Sequence, residues 1–408
     1  MHNICEINAC TACGACENVC HKKAILRQVK WDGSWYMEID ETQCVNCGSC
    51  VKVCPNVQGV ELNHPVKAYA AWSNNPQVHA TSASGGIAAE LYQYAVQNDM
   101  YFAGVAMNEN QEAHFTVGHT VEEIQKYKNS KYTFSFMDDT YQKIHTLLKE
   151  RKKVLFIGLP CQVAAIKNYF KLVKSVQNNL LTVDLACHGT PSPEFLKQHI
   201  SSIEERKSRH AKPCYFRDPT FKTERFMFTL YDQKNQLFYK KKVESRDVYQ
   251  IGYHSALIYR DCCYQCKYAC HDRSGDLTLA DYHGLGSLAP YEACKKSVSC
   301  VLVNTPKGES FLQSLMNQLV THERPILEPL KGERQFNQPS SAPEERAEFI
   351  KLYIEKKDFD SAADIAFKEL KKKNVIKGIV DIRRLRIFVT SLLPRESKVH
   401  IKEFLGKR

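Results

Sequence analysis

Eight of the 18 cysteines fall in two runs of identical spacing near the amino terminus. The first run is Cys10, Cys13, Cys16 and Cys20, and the second is Cys44, Cys47, Cys50 and Cys54, followed by Pro55. This C-x2-C-x2-C-x3-C spacing is typical of bacterial two-cluster ferredoxins, in which the fourth cysteine of each run ligates the other run's cluster. The spacing therefore predicts two 4Fe-4S clusters, one on Cys10, Cys13, Cys16 and Cys54 and one on Cys44, Cys47, Cys50 and Cys20.

Zinc, disulfides and chance are the alternatives for these two runs. Zinc takes four ligands per site and needs no repeated eight-cysteine array. Disulfides suit small secreted scaffolds, and this chain has 408 residues. Gly14 and Gly48 stand inside the runs, where a side chain would crowd the cluster or its backbone N–H groups. Asp32-Gly33 predicts the turn of a hairpin over 31–39, inserted between the runs.

Four further cysteines follow predicted strands or lie in a turn, namely Cys161, Cys187, Cys263 and Cys266. The ends of parallel strands gather at one edge of an α/β sheet, where binding sites form. Four thiolates from three loops would hold a third 4Fe-4S cluster, and zinc on the same residues is the alternative. Cys262 or Cys270 can replace one of the four in this interpretation. Cys214, Cys294 and Cys300 are isolated and are predicted to be ordinary buried thiols.

The elements that must position these cysteines divide the chain into parts. Residues 1–62 are predicted to form an α+β ferredoxin-like module with two clusters, and 63–65 a short linker. After the linker, strands alternate with helices, which predicts a layered α/β body. A helix is expected over 82–97. The predicted strands are Val66–Trp72, Tyr101–Met107, Lys153–Ile157, Leu180–Ala186, Asp276–Ala280 and Val298–Asn304.

The composition favours a folded protein of the reducing cytosol. Hydrophobic residues make up 43% of the chain, which permits a substantial core. No apolar run opens the sequence as in a signal peptide, and no stretch is long enough to span a membrane. Unpaired cysteines in such numbers favour metal binding in the cytoplasm. Because exposed clusters are sensitive to oxygen, an anaerobic habitat is expected.

The net charge of +11 is concentrated at the carboxyl terminus. Lys368–Arg408 holds 13 Lys/Arg and 4 Asp/Glu, so this segment carries +9 and the remainder +2. Nucleic-acid binding is not expected, because basic residues interleaved with aromatics do not spread over the chain. Residues 331–408 are predicted to be a helical basic tail that contacts an acidic redox partner or a membrane surface. The alternative is an ordinary helix packed on the body with a solvated basic face.

Five segments in a fixed order carry a resemblance to a known family. They are Ser82–Gly86, Ser130–Tyr132, Gly158–Gln162, Cys187–Ser192 and the Cys263-x2-Cys266 pair running on to Arg273 and Asp281. With the leading ferredoxin module, they resemble the coenzyme F-420 hydrogenase/dehydrogenase beta-subunit family over roughly residues 1–310. The resemblance implies an N-terminal-type domain over 66–150 and a C-terminal-type domain over 151–330. It also implies FAD with an iron–sulfur cluster beside it, which favours the third cluster.

Candidate contacts to a flavin follow from the same segments. Ser84, Gly85 and Gly86 open a predicted helix, whose free N–H groups and positive dipole end suit a phosphate. A plain helix start capped by Ser84 is the alternative. Lys131 is expected to pair with a pyrophosphate or with an anionic reduced flavin, and a solvent-facing lysine is the alternative.

The polar residues after the last cysteine pair suggest contacts near the flavin ring or the substrate. Arg273 and Asp281 are the candidates for these contacts, with an Arg–Asp surface pair as the alternative. His188 and His283 are candidate proton donors, because imidazole titrates near neutral pH. His283 stands where the family has Trp, so a wall of the predicted site changes in size and polarity.

These observations together predict an iron–sulfur flavoprotein oxidoreductase. Electrons are expected to enter from an external redox partner such as ferredoxin, pass through the clusters to FAD, and reduce a small organic substrate. The flavin is needed because clusters carry single electrons and most organic substrates take two. Family membership does not fix the substrate. One alternative is an electron-transfer subunit that serves a partner enzyme and has no substrate of its own. Another is an interaction protein that keeps only the ferredoxin clusters.

Overall fold

The computed structural model describes residues 2–175, 177–221, 223–243, 246–293 and 297–379. The strands are β1 (His2–Asn3), β2 (Ile25–Val29), β3 (Trp35–Ile39), β4 (Lys67–Ser73), β5 (Tyr101–Met107), β6 (Ala113–Gly118), β7 (Ser135–Phe136), β8 (Val154–Gly158), β9 (Leu180–Leu185), β10 (Phe228–Tyr231), β11 (Leu237–Lys241), β12 (Leu277–Asp281), β13 (Ser299–Val303) and β14 (Leu319–Arg324). The α-helices are α1 (Ala15–Val19), α2 (Ser49–Val53), α3 (Pro76–Thr81), α4 (Ile87–Gln97), α5 (Val121–Tyr127), α6 (Thr140–Lys149), α7 (Pro160–Leu172), α8 (Pro193–Lys207), α9 (Val248–His254), α10 (Pro306–Gln313), α11 (Leu327–Gly332), α12 (Glu345–Lys356), α13 (Phe359–Ala366) and α14 (Lys368–Ile379).

The amino-terminal module repeats one local structure around its two cysteine runs. Each run contains a glycine with positive φ, 75° at Gly14 and 71° at Gly48, and a short helix begins at the next residue. Only glycine adopts this conformation without strain, which explains its place in both runs. The predicted hairpin is present, because β2 and β3 pair antiparallel with Asp32-Gly33 in the turn between them.

The body is built on a nine-stranded mixed sheet in the order β14-β4-β13-β12-β9-β8-β5-β6-β7. The strands β12, β9, β8 and β5 pair parallel, and the antiparallel β13 lies between β12 and β4. Every residue of β8 and β13 is buried, as expected for central strands covered on both faces. The six predicted strands all occur within one residue of their predicted ends, so the layered α/β architecture is confirmed.

One edge of this sheet collects most of the predicted site residues. The strands β8, β9 and β12 end there at Gly158, Leu185 and Asp281. Cys161 and Cys187 follow the first two strand ends, and His283 follows the third. The parallel pairing thus brings together loops that are far apart along the chain.

The predicted helix over 82–97 begins later in the structure, at Ile87. Gly86 precedes it with φ 87°, and a separate helix, α3, ends at Thr81. The intervening residues are not helical because the Gly85 N–H donates to the Ser299 hydroxyl at 2.9 Å and the Gly85 carbonyl accepts from Ser73. These contacts to the sheet replace intrahelical hydrogen bonds.

The first part of the predicted tail packs into the body. Phe349 on α12 and Phe359 on α13 are fully buried in a core shared with Phe195 on α8 and Tyr249 on α9. Because α12 and α13 pack their apolar faces against α8 and α9, they belong to the body and do not form a separate tail domain. The predicted tail continues as α14, and residues 380–408 lie outside the described residues. Among the helices that the structure describes, none is long and apolar enough to cross a bilayer.

A buried ionic network ties these carboxyl-terminal helices to the body. His199 on α8 contacts Asp360 on α13 at 2.6 Å and Asp247, the residue that caps α9, at 3.0 Å. Burial opposes the charged imidazole, but the charges and hydrogen bonds of the two carboxylates raise the pKa of His199 to about 10. The hydroxyl of Tyr239 donates to Asp247 at 2.6 Å. The network therefore links four elements.

We expect His199→Gln to destabilise the protein by about 3 kcal/mol at pH 6, because it removes the buried cation that Asp247 and Asp360 share, while Arg206 still pairs with Asp360 at 3.3 Å. The folded-state pKa of His199 lies above the unfolded value of about 6.5. Its stabilisation is therefore complete below pH 6.5 and is lost as the pH rises towards 10. Unfolding midpoints measured from pH 6 to 9.5 should converge for the variant and the wild type. The matched control is His210→Gln at an exposed histidine. An equal effect of both substitutions would contradict the assignment.

Candidate iron–sulfur relay and polar site

The first predicted cluster set converges in the structure. Cys10, Cys13, Cys16 and Cys54 are all buried and line a cavity of about 20 Å³. Backbone N–H groups of Ala12 and Ala15 point to the sulfurs of Cys10 and Cys13. Such N–H donors offset the negative charge that thiolates and a cubane bring into a buried site. We call these four cysteines the inner set.

The second predicted set lies at the surface of the same module. Its members Cys20, Cys44, Cys47 and Cys50 are called the outer set. The Ala24 N–H donates to the sulfur of Cys20 at 3.3 Å, and the Asn46 N–H donates to the sulfur of Cys44 at 3.4 Å. Burial raises the pKa of Cys50, and the nearby charges of Cys44 and Cys20 raise it further. Cys47 is exposed. The crossing of the two runs thus gives one buried set and one surface set.

The third predicted set lines a much larger cavity, of about 410 Å³, between the module and the sheet edge. Cys161, Cys187, Cys263 and Cys266 all border this cavity, and Cys262 borders it too. Cys270 does not line it, because its sulfur lies against the carbonyls of Lys267 and Asp272. We call Cys161, Cys187, Cys263 and Cys266 the third set.

The choice between Cys262 and Cys263 rests on what each sulfur contacts. The Thr190 N–H donates to the sulfur of Cys263 at 3.4 Å, as backbone amides do to cluster ligands. A hydrogen bond from the Cys262 thiol lowers the pKa of Cys263 to about 6, whereas that same bond and burial raise the pKa of Cys262. The contacts therefore favour Cys263 as the ligand and Cys262 as its protonated neighbour.

The cysteine sets suit cubanes better than single ions. Within the described ranges, no three His, Cys, Asp or Glu side chains converge closely enough to hold one metal ion. A cubane instead takes four thiolates around a larger volume. The N–H donors to sulfur fit that group in the inner and third sets, and the third cavity also has the volume for it.

The inner set and the third set are neighbours. Cys5, Thr11 and Asn56 line both cavities. The buried Arg260 donates to the Thr11 carbonyl at 3.0 Å, and the hydroxyl of Tyr268 donates to the Pro55 carbonyl at 3.1 Å. These bonds hold the ferredoxin module against the body and keep the two cavities in contact.

Cys5 lies against the inner set, although no motif in the sequence assigns it a role. Its thiol forms hydrogen bonds with the sulfurs of Cys10 and Cys54, which raise the pKa of Cys5 and lower the pKa of Cys10 to about 6. The only sequence signal is an extra cysteine five residues before the first run. Its position between two ligands and next to the third cavity becomes visible only in the fold.

Polar side chains gather beyond the third set at the same sheet edge. We name them the polar site, and they are Tyr132, His188, Arg217, His254, Asp281 and His283. Arg217 pairs with Asp281 at 2.8 Å, and the rings of Tyr132 and His254 meet edge to face at 5.8 Å. His283 lies 3.5 Å from Glu333 and has a side chain that is 55% exposed.

Two histidines of the polar site, His188 and His254, have lowered pKa values, which favours their neutral forms. The Gln335 side-chain amide donates to Nδ1 of His188 at 3.0 Å, which leaves the ring proton on Nε2. Loss of surrounding water lowers the pKa of His188. The same effect is the main cause that lowers the pKa of His254 to about 4, and the positive charge of Arg217 nearby lowers it further. His254 has no motif around it in the sequence, so only the fold reveals its place in this site.

Arg273 has a different position from the one expected. It is fully buried, pairs with Asp184 at 2.8 Å and donates to the carbonyls of Tyr268 and Cys270. It therefore supports the loop that carries Cys266, and it also borders the third cavity. The alternative, a surface ion pair between Arg273 and Asp281, is wrong, because Arg217 pairs with the Asp281 carboxylate.

The predicted phosphate cradle is only partly available. The Gly85 N–H is already bonded to Ser299, and the hydroxyl of Ser84 donates to the Val298 carbonyl at 3.1 Å. Ser84 therefore does not cap the helix, which Gly86 precedes. A Cβ at Gly85 would lie 2.3 Å from the Ala71 carbonyl oxygen, so close packing on the sheet explains this glycine. Valine at position 85 would disrupt that packing whether or not a flavin binds.

Lys131 is half-buried, so the solvent-facing alternative is wrong. Its amine donates to the carbonyls of Lys128 at 2.7 Å and Lys126 at 3.3 Å. Burial lowers the pKa of Lys131 to about 7. Its neighbour Tyr132 belongs to the polar site, and Lys128 reaches the hydroxyl of Thr81 at 3.0 Å, next to the segment of Ser84 and Gly86. The structure thus brings the resemblance segments together at one sheet edge.

Three parts of the chain match described families. Residues 9–57 match the 4Fe-4S dicluster domain. Residues 68–140 match the N-terminal domain of the coenzyme F420 hydrogenase/dehydrogenase beta subunit, and residues 151–328 match the C-terminal domain of the same subunit.

Two individual proteins are similar to this chain. It is 25% identical over 169 residues to one of the subunits of the F(420)H(2) dehydrogenase of Methanosarcina mazei, covering 39% of this chain and 48% of the relative. The match thus spans about half the length of that curated relative. A solved F420-reducing [NiFe] hydrogenase complex from Methanosarcina barkeri, derivatised with xenon, contains a chain with 18% identity and a TM-score of 0.42. That likeness covers 78% of this chain and 92% of the other.

We expect Cys263→Ala to remove one cluster, so iron should fall from about twelve to about eight atoms per chain, with four irons per cubane. The matched control is Cys262→Ala, which removes the neighbouring thiol and should leave the iron content unchanged. Iron and sulfide are counted after anaerobic purification. If iron were lost in the Cys262 variant but not in the Cys263 variant, Cys262 would be the ligand and Cys263 its neighbour.

We expect Cys5→Ala to lower the midpoint potential of the inner-set cluster, because hydrogen bonds to sulfur stabilise the more negative reduced state. A net ~0.5–1.5 kcal/mol per bond corresponds to roughly 20–60 mV for one electron. An EPR-monitored redox titration measures the shift. Cys5→Ser keeps a donor and should stay nearer the wild type, and an unchanged potential in the alanine variant would rule out this role.

Proposed function

The chain belongs to the coenzyme F420 hydrogenase/dehydrogenase beta-subunit family of oxidoreductases and carries a 4Fe-4S dicluster domain, and from this premise we propose that it passes electrons between a ferredoxin-type donor and a small organic substrate through iron–sulfur clusters and FAD. The observation that carries the proposal is the continuity of the cysteine sets. The inner and third cavities share three lining residues, so the dicluster module connects directly to the body.

The positions of the sets give the proposed relay an order. The outer set is at the surface, the inner set is buried, and the third set lies between the inner set and the polar site. Cys187 and His188 are adjacent in sequence, so the third set directly adjoins the polar site. Electrons that enter at the outer set would therefore pass inward to the sheet edge, and the reverse direction uses the same groups.

The residues at this edge fit a flavin. The Asn129 side-chain oxygen, close in sequence to Lys131, and the Gln335 side-chain oxygen, beside His188, are buried and have no hydrogen-bond partner among the described residues. Buried polar atoms of this kind need a partner, which the polar edge of a bound flavin can supply. Lys131, Ser84 and Gly86 would hold the flavin's anionic part. When bound, FAD supplies the conversion of single electrons into pairs.

Protons for a reduced substrate would come from the histidines of the polar site. His188 is the first choice, because the hydrogen bond from Gln335 orients its ring and leaves Nε2–H free of that bond. The side chain of His283 is 55% exposed and would exchange protons with solvent. Arg217 and Asp281 would orient the substrate through their fixed ion pair.

A second candidate is an electron-transfer subunit in a larger complex. The matched relative is named as a dehydrogenase subunit, and the outer set lies near the surface of this chain, with Cys47 exposed and its other members half-buried. In that case the polar site would still hold FAD and electrons would leave through a partner protein.

Anaerobic purification with iron, sulfide and flavin counted per chain tests the proposal. We expect about twelve irons and one FAD, together with loss of flavin absorbance when reduced ferredoxin is added. In Cys263→Ala, ferredoxin should reduce the remaining clusters while flavin reduction slows strongly, because the connection to the flavin is cut. Protein with about eight irons and no flavin would contradict the proposal.

A further inference from the structure

The two halves of the ferredoxin module differ sharply in their exposure. All four cysteines of the inner set are buried. In the outer set, by contrast, the loop from Glu41 to Cys47 is exposed at every residue except the half-buried Cys44. A cluster held behind an exposed loop is accessible to a second protein, whereas the inner set is enclosed.

Large apolar side chains are exposed beside the outer ligands. Val45 follows Cys44 and is 54% exposed, and Val51 follows Cys50 and is 39% exposed. An apolar centre of this kind is typical of a protein interface. Because Val45 and Val51 are adjacent to outer-set cysteines, a protein that docks on them would contact the outer set.

The charges around this apolar centre are mainly positive. Lys22 and Lys23 are exposed in the turn after Cys20. The N–H of the next residue, Ala24, donates to the sulfur of Cys20. Lys52 is exposed on α2, directly after Val51. Among the acidic neighbours, Glu41 is exposed, and the carboxylate of Asp40 accepts hydrogen bonds from the backbone and hydroxyl of Thr42.

We propose that Lys22, Lys23, Val45, Val51 and Lys52 form a docking face for an acidic, ferredoxin-type protein that exchanges electrons with the outer set. This inference rests on the proposed function and names the place at which its donor binds. Three lysines around an apolar centre complement an acidic partner and would accelerate its association. In each encounter one electron leaves the partner's iron–sulfur centre and enters the outer-set cluster. No proton moves and no covalent bond changes.

The test reverses the three charges in the full-length holoprotein, with Lys22→Glu, Lys23→Glu and Lys52→Glu combined. The matched control carries Lys149→Glu, Lys153→Glu and Lys171→Glu, which are exposed lysines at the opposite edge of the sheet. The probe is a reduced acidic two-cluster ferredoxin, followed by anaerobic stopped-flow. Binding of the oxidised ferredoxin is measured separately by calorimetry.

We expect the docking-face variant to react at least about tenfold more slowly at low ionic strength, with the difference shrinking in high salt. Its affinity should fall in parallel, while its iron content and its full reduction by dithionite stay unchanged. The control variant should behave like the wild type. Equal rates for the docking-face variant and the wild type would overturn the docking face alone and leave the proposed function intact. If ferredoxin failed to reduce even the wild type while dithionite did, the proposed donor would fail as well.

Discussion

The structure depends on burying negatively charged cysteine sulfurs between the amino-terminal ferredoxin module and the α/β body. Thiolate-ligated cubanes are anionic, and burying an anion is unfavourable unless hydrogen-bond donors or cations surround it. Backbone N–H groups provide the donors at Cys10, Cys13 and Cys263. Arg260 provides a buried cation at the third cavity and also bonds to the Thr11 carbonyl of the module. The same residue therefore compensates charge and holds the two parts together.

The parallel strands set where this charge can be placed. Because β8 and β9 end at the same edge, the short loops after them can supply Cys161 and Cys187, and the segment before β12 supplies Cys263 and Cys266. The buried pair of Arg273 and Asp184 lies beneath these loops and fixes the turn around Cys266. The third set thus relies on the sheet for its geometry, whereas the inner and outer sets rely on local turns with positive-φ glycines.

This difference explains how much could be predicted from the sequence. Local spacing was sufficient for the inner and outer sets, for the Asp32-Gly33 hairpin and for the alternation of strands and helices. The third set could be anticipated because Cys161 and Cys187 follow strands, Cys263 and Cys266 share one turn, and the family resemblance implies a cluster beside a flavin. Partnerships across long separations, such as Gly85 with Ser299 or Arg217 with Asp281, leave no local pattern. Cys5 and His254 likewise acquire their surroundings only when separate segments meet.

The exposure of the cysteine sets also imposes a division of labour along the chain. A surface set can meet a large protein partner, but it cannot protect a two-electron reaction from side reactions with solvent. The polar site lies at the other end, beyond a buried set and a cavity enclosed by two parts of the chain. Under the proposed function, this separation would leave one surface for protein recognition and the other for a small molecule. The inner set is the element that makes this separation compatible with electron flow, because it is the only described cysteine set whose cavity shares lining residues with the third.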